Sequence, residues 1–173
     1  MSKREQSGEF SKSIIIQTYV LFYSLKFAAK GRQAVLIGQV QHSLDAKGRL
    51  IIPQRFRSDL GDRFVATRGL DGCVSLYPME EWDRLAEQIK AAPIAEGRTM
   101  QRYFFGFAEE QQPDSQGRIL ISTKLRQLAG LKKEVIIVGV ESRVEVWDAQ
   151  VWEQVEDSVC DEDVIAALSR SGF

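Results

Sequence analysis

One pattern occurs twice in this chain. Asp45-Ala46-Lys47-Gly48-Arg49 leads into Leu50-Ile51-Ile52-Pro53-Gln54-Arg55-Phe56-Arg57, and Asp114-Ser115-Gln116-Gly117-Arg118 leads into Ile119-Leu120-Ile121-Ser122-Thr123-Lys124-Leu125-Arg126. Further along, Leu76-Tyr77-Pro78-Met79-Glu80-Glu81-Trp82 is matched by Val146-Trp147-Asp148-Ala149-Gln150-Val151-Trp152. Internal duplication constrains the fold more than any composition does, because two like units bury their apolar faces together in a pseudo-symmetric body. The same acidic–turn–basic loop is then displayed twice, a geometry that suits a binder better than an enzyme.

Local signals give each copy the same order of elements, an α+β mixture with a pseudo-two-fold relation. Residues 39–44 alternate as a strand does. Residues 45–48 form a turn, since Asp45 can bond backbone two residues on and Gly48 accepts positive φ. A strand over 50–52 follows, then a short helix that Pro53 opens and Gly61 ends. Strands over 64–67 and 74–77 flank an Asp71-Gly72 hairpin signal. Pro78 opens a helix with Trp82, Leu85 and Ile89 on one face. The second copy repeats this: strand 109–112, turn 114–117, strand 119–121, a helix capped by Ser122 or Thr123 and ended by Gly130, strands 134–138 and 143–147, and a helix capped by Asp148. Between the copies, residues 91–97 read as a linker carrying Pro93. A helix over 99–107 follows, with Met100, Tyr103, Phe104 and Phe107 at core-packing spacing.

The expected organisation is therefore a first unit at 39–82, a helical linker at 83–108, a second unit at 109–152 and an acidic helical tail at 153–173. Residues 1–34 read as an extension foreign to the repeat, either disordered or translated upstream of a native start at Val35. Their apolar run, 14–27, is broken by Gln17, Thr18, Ser24 and Lys26 and is too short for a membrane span.

The formal net charge of −1 gives the whole molecule no basic field, so an anion-binding surface must be a local patch. Residues 45–68 supply one, with six basic residues against three acidic, while residues 153–163 carry six acidic residues and no basic one. Cys73 and Cys160 lack metal-site spacing and read as reduced thiols of a cytosolic protein, Cys73 as a small core residue. His42 is the single histidine, which leaves no catalytic triad or zinc site of more than one imidazole. Residues 69–72 lack the Lys-Ser/Thr of a phosphate loop. Glu80-Glu81 and Glu109-Glu110 are sequence neighbours whose side chains diverge. No catalysis, cofactor or metal is expected.

The candidate site is the pair of turns. Lys47 and Arg49 stand close together, and an arginine fork matches phosphate oxygens or a guanine edge. Asp45 can hold the Arg49 guanidinium, and Gly48 admits close backbone approach. Asp114, Gly117 and Arg118 repeat these roles, with Gln116 in the place of Lys47. The competing reading is a hairpin closed by an Asp–Arg pair with no ligand, in a protein–protein adaptor or assembly subunit.

The duplicated DxxxR turns, the strand leading to Pro53, and the runs 67–73, 76–82 and 125–131 resemble the MraZ family from about Leu36 onward. The resemblance implies two swapped-hairpin, AbrB-like β-barrel halves within one chain. It implies a transcriptional regulator, a repressor of the division and cell-wall gene cluster including its own gene. Its partners would be double-stranded DNA, at repeated promoter boxes, and further copies of itself in a ring-like homo-oligomer, cytoplasmic and nucleoid-associated. The family's DNA-contacting loops map onto Asp45–Arg49 and Asp114–Arg118, which gives Lys47, Arg49, Gln116 and Arg118 the DNA contacts and Asp45, Gly48, Asp114 and Gly117 supporting roles.

Overall fold

The structure is a computed structural model that describes residues 35–159 and 161–170; the expectations for residues 1–34 and for Cys160 lie outside these. The first copy supplies β1 (Leu36–Ser43), β2 (Arg49–Ile51), α1 (Gln54–Leu60), β3 (Phe64–Arg68) and β4 (Val74–Pro78). Next come α2 (Met79–Ala91) and α3 (Ile94–Phe104). The second copy supplies β5 (Glu109–Gln111), β6 (Arg118–Leu120), α4 (Thr123–Leu128), β7 (Glu134–Glu141) and β8 (Val144–Asp148), followed by α5 (Ala149–Ser158) and α6 (Asp161–Arg170).

All the strand pairings are antiparallel, and they cross between the copies. One six-stranded sheet runs β1-β7-β8-β4-β3-β5, and a two-stranded sheet joins β2 to β6. Read from either end, the larger sheet meets equivalent strands in the same order. Its centre is the Ser75–Glu145 pair of β4 and β8, and the centre of the smaller sheet is the Leu50–Ile119 pair. Both are pairs of equivalent residues, so one pseudo-two-fold relation runs through both sheets. The edge strands are exchanged: β1 of the first copy lies along β7 of the second, from Leu36–Glu141 to Ser43–Glu134, and β5 of the second lies on β3 of the first.

This exchange is why the copies share a core. Leu36, Leu50, Phe56, Leu60, Phe64 and Leu76 of the first pack in one buried cluster with Ile119, Ile121, Leu125, Val135, Ile137 and Val146 of the second. The short helices close it. In α1, Phe56 and Leu60 lie four residues apart on one face and are both buried. Pro53, at φ −54°, sets up the first turn, and Gly61, at φ 81°, ends the helix with its N–H on the Arg57 carbonyl. In α4, the Ser122 hydroxyl accepts from the Leu125 N–H and Leu125 is buried. A smaller cluster of Cys73, Val138 and Trp147 packs with Val151, Trp152 and Val155 of α5. There burial pushes the Cys73 thiol up to about 12, which makes it an inert core group. Glu145, at the pseudo-axis, is buried but satisfied: the Arg143 guanidinium and the Trp147 indole N–H both donate to it.

The segment between the copies differs from the expectation. Within 91–97 only Ala92 and Pro93 lie outside the helices, and the helix expected over 99–107 starts earlier, as α3 from Ile94 to Phe104, with a 3₁₀ turn over Phe105–Phe107. Pro93 has no N–H to continue α2, but its φ of −52° is compatible with a helix start, and the Gly97 N–H bonds its carbonyl. The aromatic stripe is half-buried and finds partners inside the chain. Tyr103 donates its hydroxyl to the Gly69 carbonyl, the Thr67 hydroxyl donates to the Phe104 carbonyl, and Phe105 meets Trp82 edge-on at 5.1 Å. Among the described residues, no helix is long and apolar enough to cross a membrane.

Candidate nucleic-acid interface

Both turns have the same geometry. Asp45 Oδ1 accepts from the backbone N–H groups of Lys47 (2.8 Å) and Arg49 (2.9 Å), and Oδ2 accepts from Arg49 Nε at 2.6 Å. Asp114 does the same with Gln116 N–H (2.9 Å), Arg118 N–H (3.0 Å) and Arg118 Nε (2.8 Å). Reciprocal backbone bonds close each loop: the Asp45 N–H donates to the Arg49 carbonyl and the Gly48 N–H to the Asp45 carbonyl, and Asp114, Gly117 and Arg118 repeat both. The two glycines sit at φ 80° and 76°, a region where a side chain is strained. Each turn is thus an acid-centred clamp that fixes one arginine by its Nε. Lys47 and Gln116 are exposed at equivalent places, so the first turn carries the additional positive charge.

The clamp leaves a mark on the acid. The Arg49 backbone N–H, and after it the Arg49 side chain, hold the Asp45 carboxyl down to about 2, and the corresponding Arg118 groups lower Asp114. A depressed folded pKa means the clamp contributes fully above the ordinary value of 3.8 and is lost as pH falls through about 2. Titration of the Asp45 carboxyl by NMR is therefore expected to show a midpoint near 2. A midpoint near 4 would mean that the turn is open in solution.

The strands after the turns form a two-stranded ribbon. Leu50 and Ile119 point inward and are buried, whereas Arg49, Ile51, Arg118 and Leu120 alternate with them and face out. Ile51 and Leu120 occupy equivalent positions and are 42% and 53% exposed, so the outer face alternates basic and aliphatic groups about the pseudo-axis.

Each turn is also tied to the other copy, which sequence reasoning missed. The Ile121 N–H donates to the Gly48 carbonyl (3.1 Å) and the Ile52 N–H to the Gly117 carbonyl (2.9 Å). Arg126 lies over Gly48 and Arg57 over Gly117. Both arginines close the matched runs of the repeat, but only the strand exchange shows that they cross. The first turn gains a further basic margin: an open cavity of about 410 Å³ beside it is lined by Leu44, Asp45, Ala46, Arg126, Leu131, Lys132 and Lys133. At the corresponding place, the first copy carries Asp62 and Arg63, and Arg63 is paired with Glu110. Among the described residues, no group of three or more His, Cys, Asp or Glu side chains could hold a metal ion.

Two equivalent turns on a strand-exchanged scaffold define a pseudo-dimeric protein built from one repeated unit. Comparison with known families agrees with that description: the family model described as MraZ protein matches this chain twice, over residues 35–102 and 104–171. Several relatives are named transcriptional regulator MraZ. The one from Halothermothrix orenii is 45% identical over 80% of this chain and 100% of its own length. That from Acetivibrio thermocellus is 50% identical over 79% of this chain and 98% of its own, and that from Pelotomaculum thermopropionicum is 51% identical over 69% and 83%. The chain belongs to the MraZ family.

Proposed function

We propose that this chain is a sequence-specific DNA-binding transcriptional regulator that represses the division and cell-wall gene cluster, its own gene included. In this reading it binds repeated promoter boxes as a ring-like homo-oligomer, in the cytoplasm and on the nucleoid, and its two exchanged halves are swapped-hairpin barrels of the AbrB type. The observation that carries it is the pair of acid-clamped arginine turns, built alike in both copies at the two ends of one exposed ribbon. Four residue steps, across the three-residue strand Arg49–Ile51, lead from Gly48 to Ile52, which pairs next to Gly117, so the turns stand about 13 Å apart along the ribbon. The major groove is about 12 Å wide and admits a two-stranded ribbon. Arg49 and Arg118 then meet base edges and phosphates, and Lys47 and Gln116 meet the backbone beside them. Asp45 and Asp114 hold the forks, and Gly48 and Gly117 keep the turn tips low. One such pair of turns binds weakly; several in a ring on repeated boxes gain through effective concentration. The names of the relatives support the regulatory role.

The rival reading, a protein–protein adaptor, has one observation in its favour: each turn closes on itself through an Asp–Arg pair, as a purely structural hairpin would. Salt separates the two. Phosphate contacts release counterions, so affinity for the DNA directly upstream of the chain's own gene is expected to fall with log salt at a slope of about −3 for three phosphate contacts per chain. A gel-shift series across ionic strength checks this. Absence of binding at low salt, or equal retention of unrelated DNA, would overturn the regulator reading.

A further inference from the structure

Arg57 in α1 and Arg126 in α4 are equivalent residues, and each lies against the turn of the copy to which it does not belong. A Cβ added to Gly48 would stand 2.7 Å from Arg126 Nε and 2.8 Å from its Cζ; one added to Gly117 would stand 2.6 Å from both Cζ and Nη1 of Arg57. The guanidiniums therefore rest directly on the bare glycine Cα, in space that any side chain would fill. The arginines are anchored by their own helices. Arg126 donates through Nε to the Ile121 carbonyl at 3.1 Å and through Nη2 to the Thr123 hydroxyl at 3.0 Å. Arg57 donates through Nη2 to the Gln54 side chain at 3.1 Å. Its buried Nε has no hydrogen-bond partner among the described residues. Both glycines are at positive φ and bring no side chain to cover their own Cα. The packing comes from the other copy instead.

We propose that Arg126 is the positioning residue of the first DNA-binding turn and Arg57 that of the second, so that each turn is a composite of both copies. The role in binding rests on the DNA-binding reading above; the holding role does not. The Asp clamp fixes the base of the turn, where Arg49 or Arg118 emerges, while the crossing guanidinium fixes its tip, where Lys47 or Gln116 sits. A tip held in advance loses less freedom when it meets a phosphate. The planar fork is required because a lysine ammonium has no flat face to lay on a peptide.

The test uses the full chain with Arg126→Ala, Arg126→Lys and Arg57→Ala. The first readout needs no DNA: amide exchange at Gly48 and Gly117. Arg126→Ala is expected to speed exchange about tenfold at Gly48 and leave Gly117 unchanged, Arg57→Ala to do the converse, and Arg126→Lys to resemble Arg126→Ala while keeping the charge. The second readout is affinity for a duplex from directly upstream of the chain's own gene. There Arg126→Ala is expected to weaken binding about tenfold with the salt slope unchanged. Exchange that changes in the arginine's own copy, or in neither turn, overturns the proposal, as does full rescue by lysine. A salt slope shallower by about one makes Arg126 a direct phosphate contact and likewise overturns the positioning role. Crossed exchange with DNA affinity unmoved by either Arg126→Ala or Arg49→Ala sinks the DNA-binding reading and leaves the holding role standing.

Discussion

Replacing Arg49 with alanine is expected to abolish specific DNA binding while the fold survives. The side chain is about a third exposed and its only ion pair among the described residues is with Asp45, at the surface, where such pairs contribute little to stability. The turn keeps its other bonds, because the backbone N–H groups of Lys47 and Arg49 still reach Asp45 Oδ1. What disappears is a forked donor, and loss of such a contact to a base edge costs about 1–3 kcal/mol. That is roughly ten- to hundredfold for one protomer, since about 1.4 kcal/mol is a factor of ten. In the proposed ring on several boxes the losses would compound. Arg118→Ala should have a similar or smaller effect, because Gln116 gives the second turn less charge from the start. Melting curves and gel shifts on the purified variants decide it: an Arg49→Ala protein that binds upstream DNA as tightly as the parent would remove the direct-contact assignment.

The largest effect on stability is expected from Phe56→Ala. This ring is 1% exposed and sits in a core drawn from both copies. Truncating a buried phenylalanine costs about 3–5 kcal/mol, a large share of the ~5–15 kcal/mol that holds an ordinary domain together. The exchange of β1 and β5 adds a sharper expectation. The halves have no separate cores to retain, so the whole repeat body should melt in one transition, shifted as a unit. Circular dichroism and tryptophan fluorescence follow the two together, with Trp82 near the first copy and Trp147 and Trp152 near the second. A biphasic melt with one phase at the parental temperature would mean that the copies fold independently, contrary to the shared cluster.

Much of this architecture is written locally. Asp45 acts through its carboxylate on the next few residues, and Gly48, Pro53, Gly61, Asp71 and Gly72 through their own backbone, so the turns, the short helices and the β3–β4 hairpin are legible as residue chemistry. Both Asp71 and Gly72 do adopt positive φ in that hairpin. Pro93 misled for the same reason: it reads as a linker residue, and equally well as the cap of α3 that it is. The strand exchange is not legible in the local pattern, since alternation marks 39–44 as a strand without naming the partner, and that partner lies in the other copy; only the family resemblance points to swapped hairpins. The crossing of Arg57 and Arg126 follows from the exchange and was hidden with it. So was the exposure of Ile51 and Leu120, which in a continuous apolar run look like core.

Joining the two copies in one polypeptide has a consequence for how such a molecule meets a duplex. Two identical subunits must mutate together, and their axis makes both approaches to a site equivalent. Here the ends have been free to drift apart, with Lys47, Lys132 and Lys133 gathered at one and Gln116, Asp62 and a paired Arg63 at the other. The molecule has a head and a tail. Turned end for end on the same base pairs, it sets a different charge against each strand. On the proposed DNA-binding reading, words suited to it are oriented, and a row of them would read head to tail, not as a palindrome.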